Sequence, residues 1–338
     1  MWAYIVRRSI VGLGLLMALA LITFGLFYAT PIDAARLTCG KNCSQDEIDQ
    51  VEKALGYDKP ILVQFGEFSK GLVVGRQFPA DEELREALPQ GVTDCAAPCL
   101  GYSHVNSRTV NELILDYAPV SISLAVVAVV MWLLMGVLFG ILAAIYKGSF
   151  IDRGIVALTL VAYAFPTFFI GAFFLKYLVV KWGWFPYPSY TPIAEGGVGA
   201  WLSNLMLPAF TLALVFMASY VRMTRAFVLE SMSEDYIRTA QAKGLRQRTV
   251  LFKHGLRAAL TPLVTMTGLD FATLLGGAII TESVFTYPGL GLLTVQANDA
   301  QDLPTIVGVV LVAGAFVILA NIIVDVSYAF IDPRVRLG

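Results

Sequence analysis

Three groups of residues in this sequence carry reactive or charged side chains in suggestive patterns. Four cysteines come as two Cys-x3-Cys pairs, Cys39 with Cys43 and Cys95 with Cys99. Such pairs can hold zinc, although Cys-x2-Cys is the commoner spacing, or they can close disulfides. Asp270 and Glu282 interrupt one apolar run, and Asp325 ends another. Acids in such runs are costly, and they usually line a cavity or pair with a partner. The stretch SEDYIRTAQAKGLRQRTVLFKHGLR, Ser233 to Arg257, concentrates Arg and Lys and interleaves them with Ala and Gly. The histidines are His104 and His254, and no His-Glu-x-x-His, Gly-x-Ser-x-Gly or Walker-type Gly-x4-Gly-Lys-Ser/Thr pattern occurs. No catalytic set and no metal set follow from these residues. Any ATP-driven process would need its ATPase on another chain.

The elements that must position these groups are set by composition. The chain has 338 residues, 57% of them hydrophobic and 14% charged, whereas a soluble domain carries about 25% charge. The net charge of −1 gives no global field for nucleic acid. Six runs are long enough to cross a bilayer as helices: Ser9 to Ala29, Tyr117 to Tyr146, Gly154 to Leu175 and somewhat beyond, Trp201 to Val221, Pro262 to about Val284, and Leu303 to Val324. Lipid offers no partner to an unpaired backbone group, so these runs are helices. The expected fold is an all-α polytopic membrane protein with six transmembrane helices. The first run follows Arg7 and Arg8 but is longer than the apolar core of a signal peptide, so a retained helix is expected.

Orientation follows from Lys and Arg in the short loops. Arg7 and Arg8, Lys147 and Arg153, the loop 222–257, and Arg334 and Arg336 all fall on one side if six helices alternate. Both termini are then cytoplasmic. Residues 1–29 form the N-terminus and first helix, 30–116 an extracytoplasmic insertion, and 117–338 the core. The insertion carries 14 acidic and 8 basic residues and all four cysteines. Outside the cytoplasm thiols oxidise, so two disulfides are expected, with three connectivities open. Crossed pairing between the two motifs would close the larger loops and stabilise more. Within the insertion, Ser44 and Glu47 fit a capping box, with Ile48, Val51, Ala54 and Leu55 on one helical face and a stop at Gly56.

The membrane runs carry further signals. Gly276-Gly277 and Gly136-x3-Gly140 permit close helix approach. Pro166 is expected to kink the third helix. Asp270 is placed deep, whereas Glu282 lies near a helix end, where interfacial water would relieve its cost; both are candidates to line a water-filled path across the membrane. Trp182, Trp184 and Trp201 suit an aromatic belt.

The basic stretch is more than a solvated loop. Ser231 and Glu234 fit a capping box, and Asp235 adds charge at a helix start. Tyr236, Ala240 and Gly244 recur every four residues on one face, flanked by Arg238 and Lys243. Two of the three are small, so another surface could approach closely. Gly244 allows a turn, and a second helix leads to Pro262.

YIRTAQAKGL followed by HGLRAALTP resembles the EAA-type loop of ABC-importer membrane subunits. Three further stretches resemble one branch, the B-type permeases of dipeptide and oligopeptide importers: ALGYDKPILVQF, RTVNELILDYAPVSISLAV and TESVFTYPGLGLL. The sequence departs from the pattern at Arg238-Thr239-Ala240, which lacks the acidic residue of the motif. It departs again in a longer cysteine-bearing extension, about Arg76 to Ser107, and at Asp270, where an uncharged polar residue is expected.

The resemblance implies a type I ABC importer permease whose loop docks on an ATPase through Asp235, Tyr236, Arg238, Ala240, Lys243 and Gly244. Implied partners are a homologous second permease, two cytoplasmic ATPase chains that hold ATP and Mg, an extracytoplasmic peptide-binding protein, and the lipid of a bacterial inner membrane. The same architecture could import a nickel chelate or glutathione. A proton-coupled transporter using Asp270 and Glu282, or a membrane enzyme with a redox-active outer domain, are readings from other classes.

Overall fold

A computed structural model describes residues 2–29, 44–87, 89–275 and 278–331. The chain divides into two compact units, one of residues 1–119 with 289–318, the other of 120–288 with 319–338.

The first unit begins with helix α1 (Trp2–Ala29). Helix α2 (Gln45–Leu55) starts with the expected capping box: the Ser44 side chain accepts from the Glu47 N–H, and the Glu47 carboxylate accepts from the Ser44 N–H. It stops at Gly56 in the left-handed conformation, and Ile48 is buried. Helix α3 (Ile61–Val74) follows Pro60. Strand β1 (Arg76–Phe78) pairs antiparallel with β2 (Thr93–Cys95), the two flanking the short helix α4 (Glu82–Ala87). Strands β3 (Tyr102–Ser103) and β4 (Arg108–Thr109) form a second hairpin. These short strands were not legible in a sequence read as all helical, because two or three residues carry no alternation to detect.

Helix α5 (Val110–Ile145) runs from the first unit into the second. The first unit ends with α12 (Leu290–Asp299) and most of α13 (Leu303–Ile331). Ala20 of α1, Phe68 of α3 and Val307 and Leu311 of α13 share one apolar core. Phe24 adds ring contacts to Phe65 and Phe68, at 5.7 and 5.0 Å.

In the second unit, α6 (Phe150–Ala164) and α7 (Thr167–Phe174) meet at a bend of 96°. Pro166 sits at the break, as expected, because proline cannot donate to the preceding turn. A π-helical segment, Leu175–Lys181, continues α7. Helix α8 (Ile193–Ser233) has one non-helical residue, Gly197. It is followed by α9 (Asp235–Ala242), a turn Gln247–Thr249, a π-helical segment Val250–Gly255, α10 (Leu256–Leu275) and α11 (Ile279–Phe285). The core holds Trp132, Leu205, Tyr220, Phe285 and Tyr287, with Trp132 stacked on Phe216 at 4.5 Å. Gly136 and Gly140 set α5 against α8. A Cβ on Gly140 would lie 2.5 Å from Thr224 Cβ, and one on Gly136 would lie 2.6 Å from Tyr220 Cβ, so only glycine permits this approach.

Among the described residues, four helices are long and apolar enough to cross a membrane, and five if the bent pair is one span. The run from Pro262 to about Val284 is shared between the shorter α10 and α11. Gly276 and Gly277 lie outside the described residues, as does the side chain of Asp325.

Candidate coupling surface and membrane carboxylates

The basic loop is built on the end of α8, which continues without a break through Ser233. Residues 222–233 are therefore helix rather than loop. This overturns the capping-box expectation at Ser231. Ser231 is an interior residue of α8, and its hydroxyl donates to the Gly255 carbonyl at 3.0 Å while Tyr236 Oη lies 2.8 Å away. The N-cap of α9 is Glu234, with extended backbone and no side-chain cap. These bonds tie three segments together, the end of α8, the start of α9 and the π-helical segment.

Ile237, Ala240 and Val250 form a small core under the loop. Ala240 is 7% exposed, so the expected shared face of Tyr236, Ala240 and Gly244 does not form. Ala240 packs inside the chain against Ile237 and Val250. Tyr236 is 44% exposed, and Asp235, Arg238, Lys243 and Gly244 lie at the surface. Gly244 has φ +74° with open space around its α-carbon, so its need for glycine is conformational. Leu245 and Phe252 are exposed apolar residues in the same loop, missed by a reading centred on charge. Their signal was their polar setting, since large apolar groups at a polar surface mark contact sites when they cluster.

Behind the loop, Arg225 of α8 holds Asp152 of α6 with both ends of its guanidinium, at 2.7 and 2.8 Å. Asp152 Oδ2 also accepts from the Gly148 N–H at 2.9 Å. Both residues occur in the sequence as ordinary loop-side charges, and nothing in their spacing paired them.

Asp270 and Glu282 have different surroundings. Tyr220 Oη donates to Asp270 Oδ2 at 2.7 Å, and Asp270 is half-buried. Glu282 is fully buried, and Ser121 Oγ donates to its Oε1 at 2.7 Å. The expectation that Glu282 is eased by interfacial water is corrected. Its cost is met by hydrogen bonds inside the protein. Thr281, Phe285 and Tyr287 of the same stretch are also buried, so this part of the motif packs inside the second unit.

Cys95 and Cys99 form a disulfide across a Cα separation of 5.4 Å. Pairing within the motif excludes the crossed connectivities that would have closed the larger loops. Cys39 and Cys43 lie outside the described residues.

Apolar helices long enough to cross a membrane, with a short helix packed at the end of α8 and exposed on its other side, make a membrane scaffold. Residues 136–337 match the binding-protein-dependent transport system inner membrane component family, and residues 1–125 match the N-terminal part of such membrane components. The chain belongs to this family of transport-system permeases. It is 35% identical over 336 residues to the "Putative peptide transport system permease protein" of Brucella abortus (strain 2308), covering 99% of each chain. It is 33% identical over 338 residues to the oligopeptide transport system permease protein AppB of Bacillus subtilis (strain 168), covering 99% of this chain and all of that one. Among solved structures, a chain of the MetNI methionine ABC transporter superposes with a TM-score of 0.54. It has 17% identity and covers 65% of this chain and 96% of its own.

Proposed function

We propose that this chain is a transmembrane subunit of an ATP-driven importer for di- and oligopeptides. It forms half of the translocation path beside a homologous permease and binds no ATP itself. Two cytoplasmic ATPase chains hold ATP and Mg, and an extracytoplasmic binding protein delivers the peptide. Both termini and the loop 222–257 face the cytoplasm in this reading. The observation that carries it is the full-length relationship, 35% identity over 99% of both chains, to a protein named for peptide transport.

The loop geometry fits this role. α9 is too short to be stable alone, yet its buried Ile237 and Ala240 and the Ser231 bonds fix it to α8. A push on its exposed face, at Asp235, Tyr236, Arg238, Lys243 and Gly244, therefore moves α8. The Arg225–Asp152 pair passes that movement to α6. In alternating access, closure of the ATPase pair would turn these helices and open the path outward.

The test is co-purification followed by reconstitution. Two ATPase chains should accompany the tagged permease, and proteoliposomes should accumulate labelled dipeptide only with ATP and the loaded binding protein. Accumulation of a nickel chelate or glutathione in place of peptide would reassign the cargo. Proton-driven uptake without ATPase chains would remove the importer reading.

A further inference from the structure

The first unit has a half-open cavity of about 740 Å³ between the insertion and the ends of α1 and α13, a size suited to a small ligand. Its apolar lining includes Phe24, Phe68, Leu100, Leu303 and Val307. Arg76, at the start of β1, reaches into it. The guanidinium carbon lies 5.7 Å from the Phe68 ring centre and 5.1 Å from that of Phe78. Arg76 Nε is buried against Gly71 without a hydrogen-bond partner, and the half-buried side chain lines the cavity.

The charges around Arg76 are spoken for. Glu67 is held by Lys59 Nζ at 2.6 Å. Asp94 accepts from Gln77 at 2.8 Å, and Gln77 in turn accepts from Arg85 at 3.2 Å. Among the described residues, no carboxylate lies within ion-pair distance of Arg76. Arg76 is half-buried, and a cation drawn partly out of water gains from a partner that replaces the hydration it loses. Burial pulls its pKa down, opposed only by the more distant charge of Glu67.

We propose that this cavity binds the free C-terminal carboxylate of a short peptide on Arg76, with the last side chain of the peptide in the apolar base. The guanidinium fork matches a carboxylate with two parallel hydrogen bonds. Glu67 and Asp94 share the lining with Lys59, Lys70 and Arg85, and Lys59 and Gln77 hold the two acids, so neither competes with an incoming carboxylate for Arg76. The aromatic and aliphatic base takes an apolar side chain without leaving polar groups unpaired. Across the hairpin Arg76 lies opposite Cys95, which the Cys95–Cys99 link anchors. The cysteine-bearing extension thereby acquires a role, as the frame that holds Arg76 over the cavity. This inference rests on the peptide-importer reading for its choice of carboxylate source.

The experiment uses the assembled permease–ATPase complex in phosphatidylcholine nanodiscs, without binding protein. Binding of Ala-Ala-Phe and of its C-terminal amide is measured by calorimetry. The acid should bind at least about tenfold more tightly than the amide, the size expected for hydrogen bonds to a charged group. Arg76→Gln should abolish the difference, and Arg76→Lys should leave part of it. Because Arg76→Gln could misfold the insertion, integrity of the Cys95–Cys99 link is checked by peptide mapping. The wild-type comparison of acid with amide stands without any variant. Equal binding of the two, or displacement of the acid by phosphatidylglycerol-containing discs with no acid preference over amide, would overturn the proposal. A complex that imports labelled dipeptide yet shows no acid preference refutes this site and leaves the function standing. A complex that imports no peptide refutes the function.

Discussion

Arg225 grips Asp152 with a two-point fork, Nε to Oδ1 at 2.7 Å and Nη2 to Oδ2 at 2.8 Å, and so joins α8 to α6. Asp152 has a side chain only 6% exposed, and Arg225 29%. Removing either partner strands the other in a partly dry setting. Asp152→Ala and Arg225→Ala should each destabilise the chain by about 2 kcal/mol. The double variant should lose less than the sum, because the second change removes a group that already lacks its partner. Arg225→Lys should keep the charge and lose the fork. Thermal unfolding of the four proteins in detergent checks this, and strict additivity would show that the pair contributes nothing as a pair.

The basic loop separates folding from contact. Ala240→Trp forces a large side chain between Ile237 and Val250 and should cost about 1–3 kcal/mol of local stability. Gly244→Val places a β-branched residue at φ +74°, a conformation that such residues strongly disfavour. Both should make the loop of the purified chain sensitive to protease. Arg238→Glu, at a side chain 76% exposed, should leave protease resistance unchanged and lower peptide-stimulated ATP hydrolysis in the reconstituted complex. If Ala240→Trp is as resistant as the native chain, the buried placement of Ala240 is wrong.

Tyr220 and Asp270 form a polar pair among apolar helices. Tyr220→Phe should destabilise by about 1 kcal/mol. If the pair is structural, Asp270→Asn should lower assembled complex by a similar free energy, and a double-mutant cycle should show coupling. If Asp270 serves the path as well, Asp270→Asn should change uptake or peptide preference at equal yield. Yield and uptake measured together distinguish the two roles.

Burial holds the His104 imidazole down at about 4, against 6.5 for the free side chain. Tyr102 meets it edge to face at 4.9 Å. Between these values the unfolded chain takes up a proton that the folded chain refuses. Stability is therefore complete above pH about 6.5, falls as the pH drops toward about 4, and changes no further below that. His104→Gln should remove that part of the slope. Chemical unfolding of the purified chain over this range is the measurement, and an identical slope in His104→Gln would assign the pH dependence elsewhere.

The membrane scaffold was legible from the amino-acid order alone, because bilayer thickness and backbone desolvation leave long apolar runs one outcome. Local signals of a few residues were also decisive where no distant partner intervenes: the Ser44–Glu47 box, the stop at Gly56 and the break at Pro166 formed as read. The same kind of signal misled at Ser231, since α8 had a better use for that hydroxyl in holding Gly255. Which side of α9 is buried depends on packing with distant segments, because its four-residue spacing names a face without saying what covers it. Only tertiary structure paired Arg225 with Asp152, separated by 73 residues, or Ser121 with Glu282, separated by 161. Composition makes a buried carboxylate expensive, but the partner that makes it tolerable is a matter of geometry between distant segments, and spacing along a chain does not carry that information.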